Sequence, residues 1–274
     1  LRASADIGGK QVRGRNNNWK LVLAYDGTDF HGWQVQPGLS TIQGELSDAI
    51  ERITGERVLP QGSGRTDTGV HAMGQVASFA LAAPIPPANL RRALNRTLPE
   101  SIRVLSTEIA APDFHARHSA LQKTYEYRIL RQELCPPTLA RYVYALNWPL
   151  DTASMASAAA LVLGEHDFTS FAANDPEIGD RGVEPGADSK GNVRTILQSE
   201  WVSEDNLLLY RVTGSGFLHH MVRNLVGTFL EIGRGAMSAE VVPEILAARS
   251  RSAAGPTAPA RGLFLISVKY PAEP

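Results

Sequence analysis

The residues best suited to chemistry stand together in Gly62-Ser63-Gly64-Arg65-Thr66-Asp67-Thr68-Gly69-Val70-His71-Ala72-Met73-Gly74-Gln75-Val76, where four glycines surround one Arg, one Asp and one His. Glycine permits positive φ and close backbone approach, so such a loop can bring main-chain N–H groups up to an anion or a sugar. Its one carboxylate is Asp67, and Arg65 two residues away favours the ionised form. A carboxylate kept ionised can attack a carbon or abstract a proton. Other readings compete. A Gly-rich turn ahead of a strand is often only a turn. A phosphate loop would end in Gly-Lys-Ser/Thr, and a dinucleotide fingerprint needs a third glycine and a preceding strand. Asp67-Thr68-Gly69 spells the aspartic-protease triplet, so a dimeric aspartic protease is a further alternative, but that chemistry needs two carboxylates sharing a proton across a dimer or an internal repeat, and Arg65 opposes the shared proton.

Other candidates lie far from this loop in the chain. His115-x-x-His118 and His219-His220 invite a zinc site, yet neither has the His-Glu-x-x-His pattern, and adjacent helical residues point to different faces. No metal is expected. Tyr125 offers a stacking face for a flipped base near basic residues, or else is a core tyrosine in a strand. Arg223 sits in an apolar segment with Leu218, Val222, Leu225 and Phe229, so it either snorkels to a rim or pairs with a buried acid. Arg91, Arg92, Arg96 and Arg103, followed by Arg117, Lys123, Arg128 and Arg131, make a basic face conceivable; the alternative is a scatter of solvated arginines.

These residues need elements to position them. Residues 19–25 alternate as a strand, broken by Asp26-Gly27-Thr28, and the loop His31-Gly32-Trp33-Gln34 follows. Ser40-Thr41-Ile42-Gln43 has capping-box spacing, and Ile42, Leu46, Ala49, Ile50 and Ile53 repeat at helical period up to Gly55. Strands are expected over 75–81, 102–109 and 123–130. Proline punctuation over 84–87 starts a helix that carries Arg91 and Arg92. In the strand 123–130, Tyr125, Tyr127 and Ile129 share one face and Thr124, Glu126 and Arg128 the other. An Ala-rich helix spans 153–163, stopped by Gly164; a hairpin covers 193–201 and 207–212; a helix runs 217–232; and a last strand 263–270 closes the chain. The order predicts an α+β fold of two similar α/β-sandwich-like halves, 19–117 and 118–274, sharing a mixed, mostly antiparallel sheet with a central cleft. Residues 1–18 read as a flexible basic tail and 174–192 as a long mobile loop.

Composition narrows the setting. At 274 residues, with 43% hydrophobic and 20% charged residues, the chain suits a soluble globular protein with a sizeable core. No apolar run approaches the length of a membrane span. No signal-peptide core stands near Leu1, and the absence of an initiator Met leaves the start of the protein open. The single cysteine, Cys135, can make neither an internal disulfide nor a cysteine zinc site, which points to a reducing, cytoplasmic setting. The net charge of -1 argues against nucleic acid only on average, because the basic residues cluster.

Six segments in order resemble the tRNA pseudouridine synthase A family: Tyr25-Asp26-Gly27-Thr28 with Phe30-His31-Gly32-Trp33-Gln34, Gly64-Arg65-Thr66-Asp67 with Gly69-Val70-His71-Ala72, Phe114-His115-Ala116-Arg117, Lys123-Thr124-Tyr125-Glu126-Tyr127, His166-Asp167-Phe168 with Ser170-Phe171, and Met221-Val222-Arg223-Asn224. The resemblance spans 19–270. It implies an isomerase that converts uridine to pseudouridine at positions 38, 39 and 40 of the tRNA anticodon arm, with no cofactor and no metal, working as a homodimer that grips tRNA with both subunits. Asp67 falls on the family's catalytic aspartate, Tyr125 on the aromatic that stacks on the target base, and Arg223 on the basic partner of the aspartate. Arg65 matches the arginine that helps move the nucleotide out of its stack, and Leu263 sits near the apolar wall of the pocket. His71, Arg91, Arg92 and Arg117 are further expected substrate contacts. A catalytically silent RNA-binding protein on the same scaffold is the alternative.

Overall fold

A computed structural model describes residues 16–173 and 191–272 of the chain. Most of the expected basic tail and of the expected long loop lie outside the described residues. The order is β1 (Asn17–Tyr25), α1 (Ile42–Thr54), β2 (Gln61–Gly62), β3 (His71–Leu81), α2 (Pro87–Thr97), β4 (Ile102–Ile109), β5 (Gln122–Arg131), β6 (Tyr144–Leu146), α3 (Thr152–Ala160), β7 (Gly164–Asp167), β8 (Val193–Glu204), β9 (Leu207–Gly214), α4 (Met221–Gly233), α5 (Val241–Ala248) and β10 (Leu263–Lys269), with three short 3-10 turns.

The strands form one open sheet in the order β4-β1-β3-β10-β5-β9-β8-β7, with β2 added to β3 and β6 to β5. Only the β10–β3 and β6–β5 pairings are parallel, so this is the mixed, mostly antiparallel sheet of an α+β fold. The last strand of the chain sits in the middle. β10 pairs Phe264 with His71 and Leu265 with Ala72 on one side, and Leu263 with Tyr127 and Leu265 with Tyr125 on the other. It therefore joins the strand that follows the Asp67 loop to the strand that carries Tyr125.

Local sequence explains most elements. In β1, Trp19, Leu21, Leu23 and Tyr25 are buried on one face, the alternation a half-buried strand requires. In α1, Ile42, Leu46, Ala49 and Ile50 are buried at helical spacing, and Gly55 ends the helix in the left-handed conformation with its N–H on Glu51 O. The cap is one residue later than the spacing suggested. Thr41, not Ser40, accepts from Gly44 N at 3.3 Å, and Gln43 turns inward to donate to Pro60 O. Helix and strand faces share one core that includes Leu90 and Leu94 of α2, Met155 of α3, Phe229 of α4 and Ile245 of α5.

Several expectations change. Asn17 and Asn18 belong to β1 rather than to a tail, and Asn18 Nδ2 donates to Ala111 O and Phe114 O. α3 stops at Ala160, and Gly164, at φ +96°, opens β7. α4 begins at Met221, because His220 before it is left-handed and cannot continue a helix. Glu126, on the polar face of β5, is buried between Arg128 and Arg211, which donate to its two oxygens at 2.9 and 2.8 Å. β6 and α5 were not expected. The Pro243 of α5 lies in its first turn, where a missing N–H costs nothing.

Candidate active site

The loop between β2 and β3 is clamped from below by its neighbours. Ser63 N donates to Val76 O at 2.7 Å, Ser63 Oγ to Gln75 Oε1 at 2.7 Å, and Gln75 Nε2 to Gly64 O at 2.9 Å. Lys123 reaches across from β5 and donates to Ser63 O at 2.5 Å; burial, then the nearby Arg117 and Arg194, push its ammonium down to about 8. Thr66 is held twice, by Trp33 N donating to its carbonyl at 3.0 Å and by a 2.8 Å bond between its hydroxyl and Tyr25 OH. Asp67 O then accepts from Val70 N at 3.1 Å across a turn that needs Gly69 at φ +78°.

The loop His31-Gly32-Trp33-Gln34 acquires a role here that the sequence did not disclose. Gly32 has φ +82°, and a Cβ there would lie 2.7 Å from Thr66 O. Only glycine lets the segment pass this close beneath the residue before Asp67. Gly62 in turn lies against the Trp33 indole. Gly32 and Gly62 thus serve close packing of the protein beneath the Asp67 loop.

The Asp67 side chain is only 21% exposed, and three cationic or imidazole groups face it. Arg223 Nη1 donates to Oδ2 at 2.9 Å while its Nε donates to Ala258 O at 2.8 Å, so the guanidinium is anchored at both ends. His220 Nε2 lies 3.2 Å from Oδ2, and His219 Nε2 lies 3.5 Å from Oδ1. Arg223 is therefore a paired arginine rather than a snorkelling one. The two histidines escaped notice as neighbours of Asp67 because they were read as helical. They precede α4, their rings lie 4.0 Å apart, and both turn the same way.

Tyr125 is close by and nearly covered, with Phe217 edge-on to it at 5.0 Å. Burial, then Tyr25, then Asp67 raise its phenol well above the ordinary range, so the ring stays neutral. Leu263 is buried opposite Tyr127, two residues along β10 from the Leu265–Tyr125 pairing. Arg65 is exposed two residues before Asp67. Arg117 is exposed and close enough to Lys123 to depress its ammonium. Arg91 and Arg92 are exposed on α2, which packs on β4, and β1 separates that edge of the sheet from β3.

His71 differs from the other expected contacts because it is 1% exposed. Gly27 N donates to its Nδ1 at 3.1 Å, so the proton resides on Nε2, which donates to Arg141 O at 3.0 Å. Burial lowers its tendency to protonate, outweighing the pull of Asp26. Stacked on Phe264 at 4.6 Å, it ties the end of the Asp67 loop to β10. Both ring nitrogens are engaged within the protein.

Chemically, the site presents one carboxylate oriented by a guanidinium, beside a neutral tyrosine and apolar walls. Among the described residues, one trio of potential metal ligands comes together, Asp67, His219 and His220, with ligand atoms within 4.8 Å of one another. Arg223 already occupies Oδ2, and its charge opposes a cation there. Within this chain Arg223, His220 and His219 pair with Asp67, and a cation at Oδ2 opposes the shared proton that aspartic-protease chemistry requires.

Comparison with known proteins finds related chains along most of this length. A family model described as tRNA pseudouridine synthase matches residues 21–119 and 158–271. A tRNA pseudouridine synthase A of Solibacter usitatus is 51% identical over 251 residues, covering 92% of this chain and 98% of its own. The proteins of that name from Moorella thermoacetica and Acetivibrio thermocellus are 46% and 41% identical over 253 residues each, covering 92% of this chain and 98% and 99% of their own.

Proposed function

The chain belongs to the tRNA pseudouridine synthase family, and we propose that it isomerises uridine to pseudouridine at positions 38, 39 and 40 of the tRNA anticodon arm, with Asp67 as the catalytic carboxylate. In this reaction the C1′–N1 glycosidic bond breaks, uracil turns, and a C1′–C5 bond forms. C5 gives up its proton and N1 ends with one, so the product is an isomer. The observation that carries the assignment is the 2.9 Å bond from Arg223 to a partly exposed Asp67.

Asp67 acts on the ribose at C1′ or C2′, or on C6 of the base. Each route needs an ionised carboxylate that reaches the nucleotide. Cleavage of the glycosidic bond builds positive character on the sugar, which a fixed carboxylate stabilises. Arg223 keeps that carboxylate charged and aimed. Tyr125 and Leu263 supply the ring and the apolar wall against which the loose uracil is held. Arg65 helps the target nucleotide leave its stack, and Arg91, Arg92 and Arg117 take the RNA backbone. His71 anchors the loop.

The tRNA lies across the cleft between the halves 19–117 and 118–274, with a homodimer providing both sides of the grip and the cytoplasm as the setting. No helix among the described residues is long and apolar enough to cross a membrane. The test is release of tritium to water from tRNA labelled at C5 of uridine, followed by mapping of the product within the anticodon arm. Binding of tRNA with no release would instead identify a silent RNA-binding protein.

A further inference from the structure

The residue before α4 has an uncommon backbone. His220 sits at φ 59° and ψ 2°, in the left-handed region that few residues other than glycine enter, Asn, Asp and His doing so more often than the rest. A strained conformation of this kind persists only where the surroundings enforce it, and such residues cluster at functional sites. Here the surroundings are visible. His219 O accepts from Ala173 N at 3.0 Å, and Met221 N donates to Leu218 O at 3.1 Å, so the turn is tied on both sides of His220.

The consequence of the turn lies at its side chains. A right-handed His220 would continue the helix and send adjacent rings to different faces. In the left-handed turn both rings face one carboxylate, His220 Nε2 at 3.2 Å from Oδ2 and His219 Nε2 at 3.5 Å from Oδ1. Burial lowers the tendency of the His220 ring to protonate, outweighing Asp67, and His219, Arg223 and Arg251 act in the same direction as burial. The ring presents a polar group beside Asp67, where Arg223 already supplies the full charge. Contacts of this length at catalytic carboxylates tighten once substrate fills the site.

We propose that His220 is a positioning residue for Asp67: its left-handed backbone aims the imidazole at Oδ2, so that the carboxylate is held between that ring and Arg223 in the orientation that reaches the nucleotide. The inference rests on the proposed isomerase reading. It also specifies which side chains suit position 220. Asn tolerates the left-handed conformation and keeps a polar side chain, whereas Gly relieves the backbone and removes the side chain.

The experiment compares the parent, His220→Asn and His220→Gly in tritium release from C5-labelled tRNA, with kcat and KM separated and the thermal midpoint recorded for each. The expected result is a kcat for His220→Gly about tenfold or more below the parent, a KM within about twofold of the parent's, and recovery of most of the lost turnover in His220→Asn. A glycine variant at the parental kcat overturns the proposal. So does a change confined to KM, which would make His220 an RNA contact, or equal impairment of both variants, or a glycine variant unfolded at the assay temperature. An inactive parent protein would instead overturn the isomerase reading itself.

Discussion

Arg223 and Asp67, 156 positions apart in the chain, meet through a single 2.9 Å bond from Nη1 to Oδ2, and the same guanidinium is pinned to Ala258 O by its Nε. The carboxylate on the loop before β3 and the cation on α4 therefore form one unit. Its geometry depends on the loop before β3 and on α4 together.

Asp67→Asn is isosteric and loses only the charge. It should reduce tritium release by about a thousandfold or more, a barrier increase of about 4 kcal/mol. tRNA binding, measured by filter retention, should stay near the parental value. Turnover by the variant at the parental rate would remove Asp67 from the mechanism.

Arg223→Ala should lower kcat far more than tRNA affinity, since the side chain meets Asp67 and Ala258 and is only 15% exposed. Arg223→Lys keeps a charge but cannot hold both partners in one planar fork, so it should recover only part of the loss. Steady-state kinetics checks both. An affinity loss without a turnover loss would make Arg223 a phosphate contact.

Gly32→Ala should destabilise the protein by about 2 kcal/mol, from the strain of positive φ together with the clash at Thr66 O. Denaturant midpoints measure this. Because Thr66 precedes Asp67, kcat should fall as well, although residue 32 touches no substrate.

Glu126→Gln tests a pH dependence with a definite sign. Burial alone would raise the carboxyl, but the bonds from Arg211 and Arg128 outweigh it and hold it below its ordinary 4.5. A carboxylate depressed in the folded state stabilises the protein above its unfolded value and loses that contribution as pH falls through the folded one. At pH 7 the variant should be less stable by about 2 kcal/mol. The gap in thermal midpoint should narrow steadily once the pH drops below about 4.5. A gap that stays constant into acid would show that the pair does not contribute in this way.

Salt separates specific from electrostatic contacts. If Arg91 and Arg92 meet phosphates, log K for tRNA should fall linearly with log salt, and replacing both with Ala should reduce the slope by roughly 1.5. A titration series at fixed pH gives the two slopes, and identical slopes would free these arginines from the RNA.

Much of this protein could be read along the chain because the forces concerned are local. Alternation in β1, the helical period of α1 and the Gly-Arg-Thr-Asp run of the Asp67 loop each depend on neighbours within a few residues, where backbone geometry sets the pattern. Even so, the α1 cap moved from Ser40 to Thr41, because Gln43 found a better partner at Pro60 O in the interior. The segment 217–220 misled in a similar way. Its apolar spacing continues that of α4, but ties from Ala173 N and Leu218 O hold His220 in a left-handed turn.

By itself, the sequence placed Asp67 in a glycine-rich loop, Tyr125 on a strand, and Arg223 in an apolar segment where it either snorkels or pairs with an acid. The family resemblance paired Arg223 with Asp67; only the tertiary structure decided that one of its Nη groups and its Nε are both engaged, that His219 and His220 face the same carboxylate, that Glu126 is buried and that both ring nitrogens of His71 are engaged within the protein. Those outcomes depend on which distant groups share one desolvated space. Coulomb attraction and hydrogen bonding act across that space, and sequence separation does not measure it.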